Sequence, residues 1–284
     1  MGKVSFYIPC FNAVRFIENA IAAVLSQTYP IEEILIIDDG SSDNTLGVVE
    51  KYQEKTGVPI RVISHKTNLG LAEARNTGVR NCRSEFIASI DADVKIAPDW
   101  LENIMQEFSS QDVAGVGGCL EETYRVSLAD VWRNTHMRQS WGEKKIKNPS
   151  FLYGSNACYR KGAIVKTGMY DKRAKTNGED VYIGRRILQS GQTLIYTPSA
   201  VCYHFRQDTV ITIIRTFWRW KYFGNWIKVD LRTTLKANAV NFYRCIGLLS
   251  KDFSFKSPWG NFIIDMFYPF VAGYLDWKSY LGYI

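Results

Sequence analysis

The sequence predicts an α/β fold: a mainly parallel nucleotide-binding-type sheet flanked by helices over residues 1–205, then a basic, helical, aromatic-rich extension over 206–284. Three observations carry that expectation. Short apolar runs alternate with helically spaced segments through the first hundred residues, the rhythm of parallel strands joined by helical crossovers. The second run is continuous in Ile and Leu, as a strand covered on both faces requires. The ends of these runs are polar, on the side where such sheets receive ligands.

The elements follow in order. VSFYIP (4–9) is a strand ending in Pro9, and residues 13–27 continue with helical spacing. EEILIIDD (32–39) is a second strand, after which Ser41 and Ser42 are N-cap candidates for a helix reaching about residue 55. VPIRVIS (58–64) is a third strand with a helix over 69–80. EFIASIDAD (85–93) is a fourth, with a helix opening at Pro98 and Asp99, and VAGVGG (113–118) is a fifth. Beyond residue 120 the pattern turns irregular, with a Trp/His/Arg-rich stretch and a lysine-rich loop at 144–147. Order returns at FLYGSNACYRKGAI (151–164) and at GEDVYIGRRILQSG (178–191), which opens a helix.

Composition narrows the class. With 284 residues, 46% hydrophobic and 22% charged, the chain buries a full core and is not disordered. The six cysteines show no CxxC pair and no zinc spacing, and the start MGKVSFYIPC carries no apolar signal run. Free thiols in a reducing cytosol are therefore expected. The net charge of +7 is local: residues 206–236 hold seven basic and two acidic residues, whereas 1–205 carry 24 basic and 23 acidic. Such a distribution argues against a nucleic-acid partner spread over the chain.

IDADV (90–94) is the central chemical feature. Asp91 and Asp93 stand two apart at a strand end, where both carboxylates reach one ligand, and hard oxygens suit Mg²⁺ or Mn²⁺ shared with substrate phosphates. A lone DxD is common in surface loops. Its neighbours strengthen it. DDGSSDNT (38–45) puts two acids after ILII, which a capped turn alone does not require. NLGLAEARNTG (68–78) brings Arg75 and Asn76 to the same edge, so three consecutive strand ends carry polar clusters, with Asn12, Asp38, Asp39 and Asn68 among them. Glu179 and Asp180 at a helix start have a plain explanation in the helix dipole.

The ordered set PCFN (9–12), DDGSSDNT (38–45), NLGLAEARN (68–76), DAD (91–93), GSNACYRK (154–161) and GED (178–180) closely resembles the family 2 inverting glycosyltransferases of GT-A fold. The resemblance runs from residue 3 to about 205. It implies transfer of a sugar from a nucleoside diphosphate sugar with inversion at the anomeric carbon, assisted by Mn²⁺ or Mg²⁺. Carried over by position, Pro9, Asn12, Asp39 and Arg75 belong to the nucleotide side, with Pro9, Asp39 and Arg75 at the base. Asp91 resembles the ribose and phosphate contact and shares the metal with Asp93, the direct ligand. Asp180 resembles the general base, with Glu179 its near competitor, and Gly154 and Ser155 the loop on the acceptor side. A histidine near His204 is an additional metal ligand in related enzymes; a packed polar histidine is the plainer reading.

FRQDTVITIIRTFWRWKYFGNW (205–226) has Val210, Ile213, Ile214, Phe217 and Lys221 at helical spacing, with Arg and Trp between them. It reads either as a helix packed on the protein or as attachment to an anionic membrane surface. Processive members of the family carry QxxRW near this place. Here the stretch is TFWRW (216–220), with Thr216 where Gln would stand, which speaks against a processive polymerase. Arg219 and Trp220 remain candidates for the diphosphate or acceptor side. FIIDMFYPFVAGYLDW (262–277) is interrupted by Asp265 and Pro269 and too short to span a bilayer, so contact from one membrane face is its expected limit.

Rival chemistry is less well matched. A nucleotidyltransferase expects a Gly-rich phosphate loop with a basic residue after the first strand, where this chain has PCFNAVRF, and an aspartyl phosphatase expects its DxD there. A membrane-surface binding module with a degenerate transferase domain would not need Asp93 and Asp180 intact. UDP is the default donor nucleotide. The acceptor is a hydroxyl of a glycan, and the basic aromatic tail leans toward a lipid-linked one at the cytoplasmic membrane face. The oligomeric state is not legible.

Overall fold

A computed structural model describes residues 2–174, 177–223, 230–254 and 259–281. The first elements are β1 (Val4–Cys10), α1 (Ile17–Leu25), β2 (Ile31–Asp38), α2 (Thr45–Gln53), β3 (Ile60–Ser64), α3 (Leu71–Asn81) and β4 (Phe86–Ile90). Next come β5 (Val94–Ile96), α4 (Trp100–Gln106), β6 (Val113–Glu122), α5 (Leu128–His136), β7 (Ile146–Lys147), β8 (Asn156–Arg160) and α6 (Lys161–Lys166). The chain continues through α7 (Glu179–Gln189), β9 (Thr193–His204), α8 (Val210–Phe223), α9 (Leu231–Ser254) and α10 (Trp259–Tyr280).

Strand order is β3-β2-β1-β4-β8-β6-β9-β5, with β7 on β9. The β3, β2, β1 and β4 strands are parallel, as their βαβ spacing predicts. β8 then pairs antiparallel to β4 and to β6, and β5 and β7 pair antiparallel to β9. The chain from Val94 onward thus supplies an antiparallel half to the sheet. Strand alternation divides the core: Phe6, Ile8, Ile34 and Ile36 pack on α1 and Trp100 on one face. Tyr7, Leu35 and Ile37 pack with Val79, Tyr159 and Ile183 on the other. Gly78 lets α3 lie on β1, because a Cβ there would stand 2.5 Å from the Tyr7 ring.

Two compact units result, Met1–Glu121 with Gln139–Phe205, and Glu122–Arg138 with Arg206–Ile284. The expected division at 205/206 thus differs in one respect: residues 122–138 leave the first unit. Their reason is apolar. Ala129 and Trp132 of α5 join Ile213, Ile214, Phe217 and Trp218 of α8 and Tyr268 and Leu275 of α10 in one core. The apolar face of α8 is therefore spent on packing. Residues 224–226 of the expected helix lie outside the described residues. α10 runs on through Pro269. Among the described residues no helix is long and apolar enough to cross a membrane.

Candidate active site

The carboxyl ends of β1, β2, β3 and β4 form one edge, since Cys10 pairs with Asp38 and Asp38 with Ser64. Asp39 follows β2 and is 4% exposed. Its Oδ1 accepts from Leu69 N at 2.9 Å and lies 2.6 Å from His65 Nδ1, while Oδ2 accepts from Gly70 N at 2.8 Å. His65 Nε2 in turn meets Thr77 Oγ1 at 3.0 Å. Gly40 (φ +77°) makes this possible, since a Cβ there would meet the Thr67 carbonyl carbon at 2.9 Å. Pro9, Cys10, Phe11, Asp39, Asn68 and Gly70 line a cleft of 210 Å³. That is below the roughly 300–1,000 Å³ of a drug-sized ligand site, and suits one ring system rather than a whole nucleotide sugar.

Asn12 holds the loop rather than facing the cleft. With φ +50° it aims Oδ1 at Ser42 N (2.8 Å) and Asp43 N (3.3 Å). The helix start expected of Ser41 or Ser42 moves on: α2 opens at Thr45, whose N–H is taken by Asp43 Oδ1 at 3.0 Å. Asp43, the residue after Ser42, offers the stronger acceptor.

Arg75 of α3 is 1% exposed, and its side chain is absent from the cleft wall. Its Nη2 donates to Asp91 Oδ1 at 2.7 Å, and its Nη1 lies 2.9 Å from Glu179 Oε1. Both ends of the guanidinium are engaged by carboxylates. Gly154 closes over it: a Cβ on Gly154 would stand 1.4 Å from Arg75 Nη1. Beneath lie Tyr170, 5.9 Å from the guanidinium, and Tyr7, whose phenol burial pushes up to about 12.

Asp93 sits beside His204 because β5 pairs with β9 and sets Val94 opposite His204. Asp93 Oδ2 is 3.3 Å from His204 Nε2, and the Asp93 carbonyl accepts from Phe205 N at 2.9 Å. On α7, Asp180 Oδ2 accepts from Gly154 N at 3.2 Å and Oδ1 from Val181 N at 2.8 Å. Ser155 is buried and donates to Gln139 Oε1 at 2.6 Å. Burial pushes the Glu179 carboxyl up to about 7, with Arg75 opposing and Asp180 adding to the rise. Burial likewise raises Asp91 and Asp180, against the pull of Arg75.

Residues 5–173 match the family described as Glycosyl transferase family 2. The chain belongs to that family. The chain is similar to a poly-beta-1,6-N-acetyl-D-glucosamine synthase of Staphylococcus epidermidis, 25% identical over 249 residues. That match takes in 84% of this chain and 59% of the relative, so the chain spans about three fifths of that protein. Glycosyltransferase AglE of Haloferax volcanii is 26% identical over 208 residues, covering 71% of this chain and 66% of AglE. The fold is that of GT-A glycosyltransferases of known structure. The mannosyltransferase PcManGT from Pyrobaculum calidifontis, solved with GDP-Man and Mn²⁺, superposes with a TM-score of 0.64 at 17% identity, covering 98% of this chain and 87% of PcManGT. S. aureus TarS with UDP-GlcNAc gives 0.60 at 17% identity, covering 89% and 73%.

For a glycosyltransferase of this family a divalent cation is the implied cofactor. Among the described residues no group of three His, Cys, Asp or Glu side chains gathers as a closed cage. The Asp93–His204 pair offers two ligands, which fits a cation that completes its shell with substrate phosphates and water. Arg219 and Trp220 lie on α8 of the second unit, where Trp220 packs against that unit's core.

Two participants were not singled out in the sequence. His65 is visible only as a residue directly after a strand, at the edge that carries the acids. The Arg75–Glu179 contact joins α3 to α7, and no local spacing encodes it.

Proposed function

We propose that this family 2 glycosyltransferase moves a sugar, with inversion, from a nucleoside diphosphate sugar to a glycan hydroxyl. A UDP-sugar is the favoured donor and a lipid-linked saccharide the favoured acceptor, with the enzyme held peripherally at the cytoplasmic membrane face. The observation that carries the reading is that Arg75 ties Asp91 to Glu179, the neighbour of Asp180, in the unit that also holds Asp39, Asp93 and His204.

Each role follows from its setting. The Asp39 cleft takes the base, and its narrow volume favours a pyrimidine. Asp93 and His204, with Asp91 beside them, hold the cation, which when bound neutralises charge developing on the leaving diphosphate. Asp180 accepts the acceptor hydroxyl's proton during attack. Its carboxylate is oriented by the Gly154 and Val181 N–H groups, and burial makes it a better base than an exposed aspartate. Gly154 and Ser155 shape the acceptor side, while Arg219 and Trp220 are assigned to acceptor or diphosphate contacts. UDP-GlcNAc in TarS supports the UDP choice, and GDP-Man with Mn²⁺ in PcManGT supports the cation.

A thermal-shift screen of UDP, GDP and TDP with Mn²⁺ or Mg²⁺ tests donor and cation together. Saturating UDP with metal is expected to stabilise the first unit, by about 2.7 kcal/mol at a hundredfold excess over Kd. No shift with any nucleoside diphosphate contradicts the reading.

A further inference from the structure

α10 is turned inside out for a water-facing helix. Its carboxylates point inward: Asp265 accepts from Trp132 Nε1 at 2.7 Å, and Asp276 accepts from Trp218 Nε1 and Asn241 Nδ2, both at 2.7 Å. Its outward side chains are Ile263, Met266, Phe267, Phe270, Tyr274 and Trp277, 39–67% exposed. Among the described residues of α10 no exposed position is charged. α9 extends this surface, since the Phe242 and Phe270 rings meet edge to face at 6.0 Å and Leu235 and Ile246 are exposed beside them.

A contiguous apolar surface of this kind marks a covered face, and three features choose its cover. First, the exposed charged side chains described on α9 are all cations, Arg232, Lys236 and Lys251. Second, Asp208, Asp265 and Asp276 are buried, which leaves Asp230 as the exposed carboxylate among the residues of 206–284 whose side chains are described. Third, α10 carries Tyr274 and Trp277, side chains that favour the headgroup region, and is not apolar enough to cross a bilayer. Apolar residues beside these cations suit a helix lying in the plane of an anionic interface, immersed by about 5–10 Å.

We propose that the outer face of the α9–α10 pair docks on an anionic lipid bilayer. The inference rests on the peripheral-membrane part of the reading above and replaces α8 as the contact, because the apolar face of α8 is buried. It does not depend on the transfer chemistry.

The test is co-sedimentation of the full chain with vesicles of phosphatidylcholine, with and without phosphatidylglycerol, beside sizing in solution. Wild type is expected to pellet with the anionic vesicles and not with phosphatidylcholine alone. The surface variants F267S/F270S and R232E/K236E should each weaken that binding about tenfold or more. Both are expected to melt as wild type does and to turn over donor equally in the absence of lipid, so docking and catalysis fail separately. Wild type that stays in the supernatant, or binding that survives both variants, overturns the proposal. So does a wild-type dimer that F267S/F270S converts to monomer, because a second copy then covers the face.

Discussion

Arg75 Nη1 lies 2.9 Å from Glu179 Oε1, and through this contact a helix following the third strand is bound to the helix that opens with Glu179 and Asp180. The other edge of the same guanidinium holds Asp91 at 2.7 Å. One buried cation therefore spans Asp91 and Glu179 of the ED pair, and Gly154 leaves it room.

Gly154→Ala places a methyl where Arg75 Nη1 now stands. Displacing the guanidinium misaligns Asp91 and Glu179 together, so kcat is expected to fall about 100-fold. Steady-state kinetics read this. A variant with wild-type kcat would show that Arg75 is not needed in this position.

Glu179 carries a pH signature. Burial raises its folded-state pKa from 4.5 to about 7, so the folded state binds the proton more tightly than the unfolded chain. The associated stability is fully present below the unfolded value and is lost as pH rises through the folded one. Melting temperature is thus expected to decline between pH 4.5 and 7, and Glu179→Gln should remove that part of the decline. Parallel curves for the two proteins contradict the assignment.

His65→Ala removes the ring that bridges Asp39 and Thr77. Loss of those contacts is expected to cost about 1–2 kcal/mol of stability in urea unfolding and to weaken nucleotide binding several-fold. Unchanged nucleotide affinity would separate Asp39 from the base cleft.

Much of this was legible in the chain. The parallel strands announce themselves because each is an apolar run followed by a helical period, and the strand ends expose Asp39, Asp91 and Asp93 directly. The antiparallel half was not. The strands β8 and β9 have partners, β4 and β5, that are distant in sequence, so pairing rather than local pattern fixes them. The place of α5 was hidden for the same reason: Trp132 finds its partner, Asp265, across the sequence. The positive φ of Asn12, which turns Oδ1 to the loop amides, is not written in composition.

Asp276→Ala would leave the Trp218 and Asn241 donors buried without this acceptor. A cost of about 2–3 kcal/mol is expected in unfolding of the second unit, followed by intrinsic fluorescence, with donor binding by the first unit retained. Wild-type stability would show that water satisfies these donors.

The most direct test of sugar transfer at this site is single-turnover chemistry and donor titration with Asp180→Asn in the presence of Mn²⁺. Donor affinity is expected to stay within about twofold of wild type, while transfer falls by about 10²–10⁴, the contribution of a general base. Transfer at the wild-type rate, or loss of donor binding along with it, would contradict Asp180 as the base.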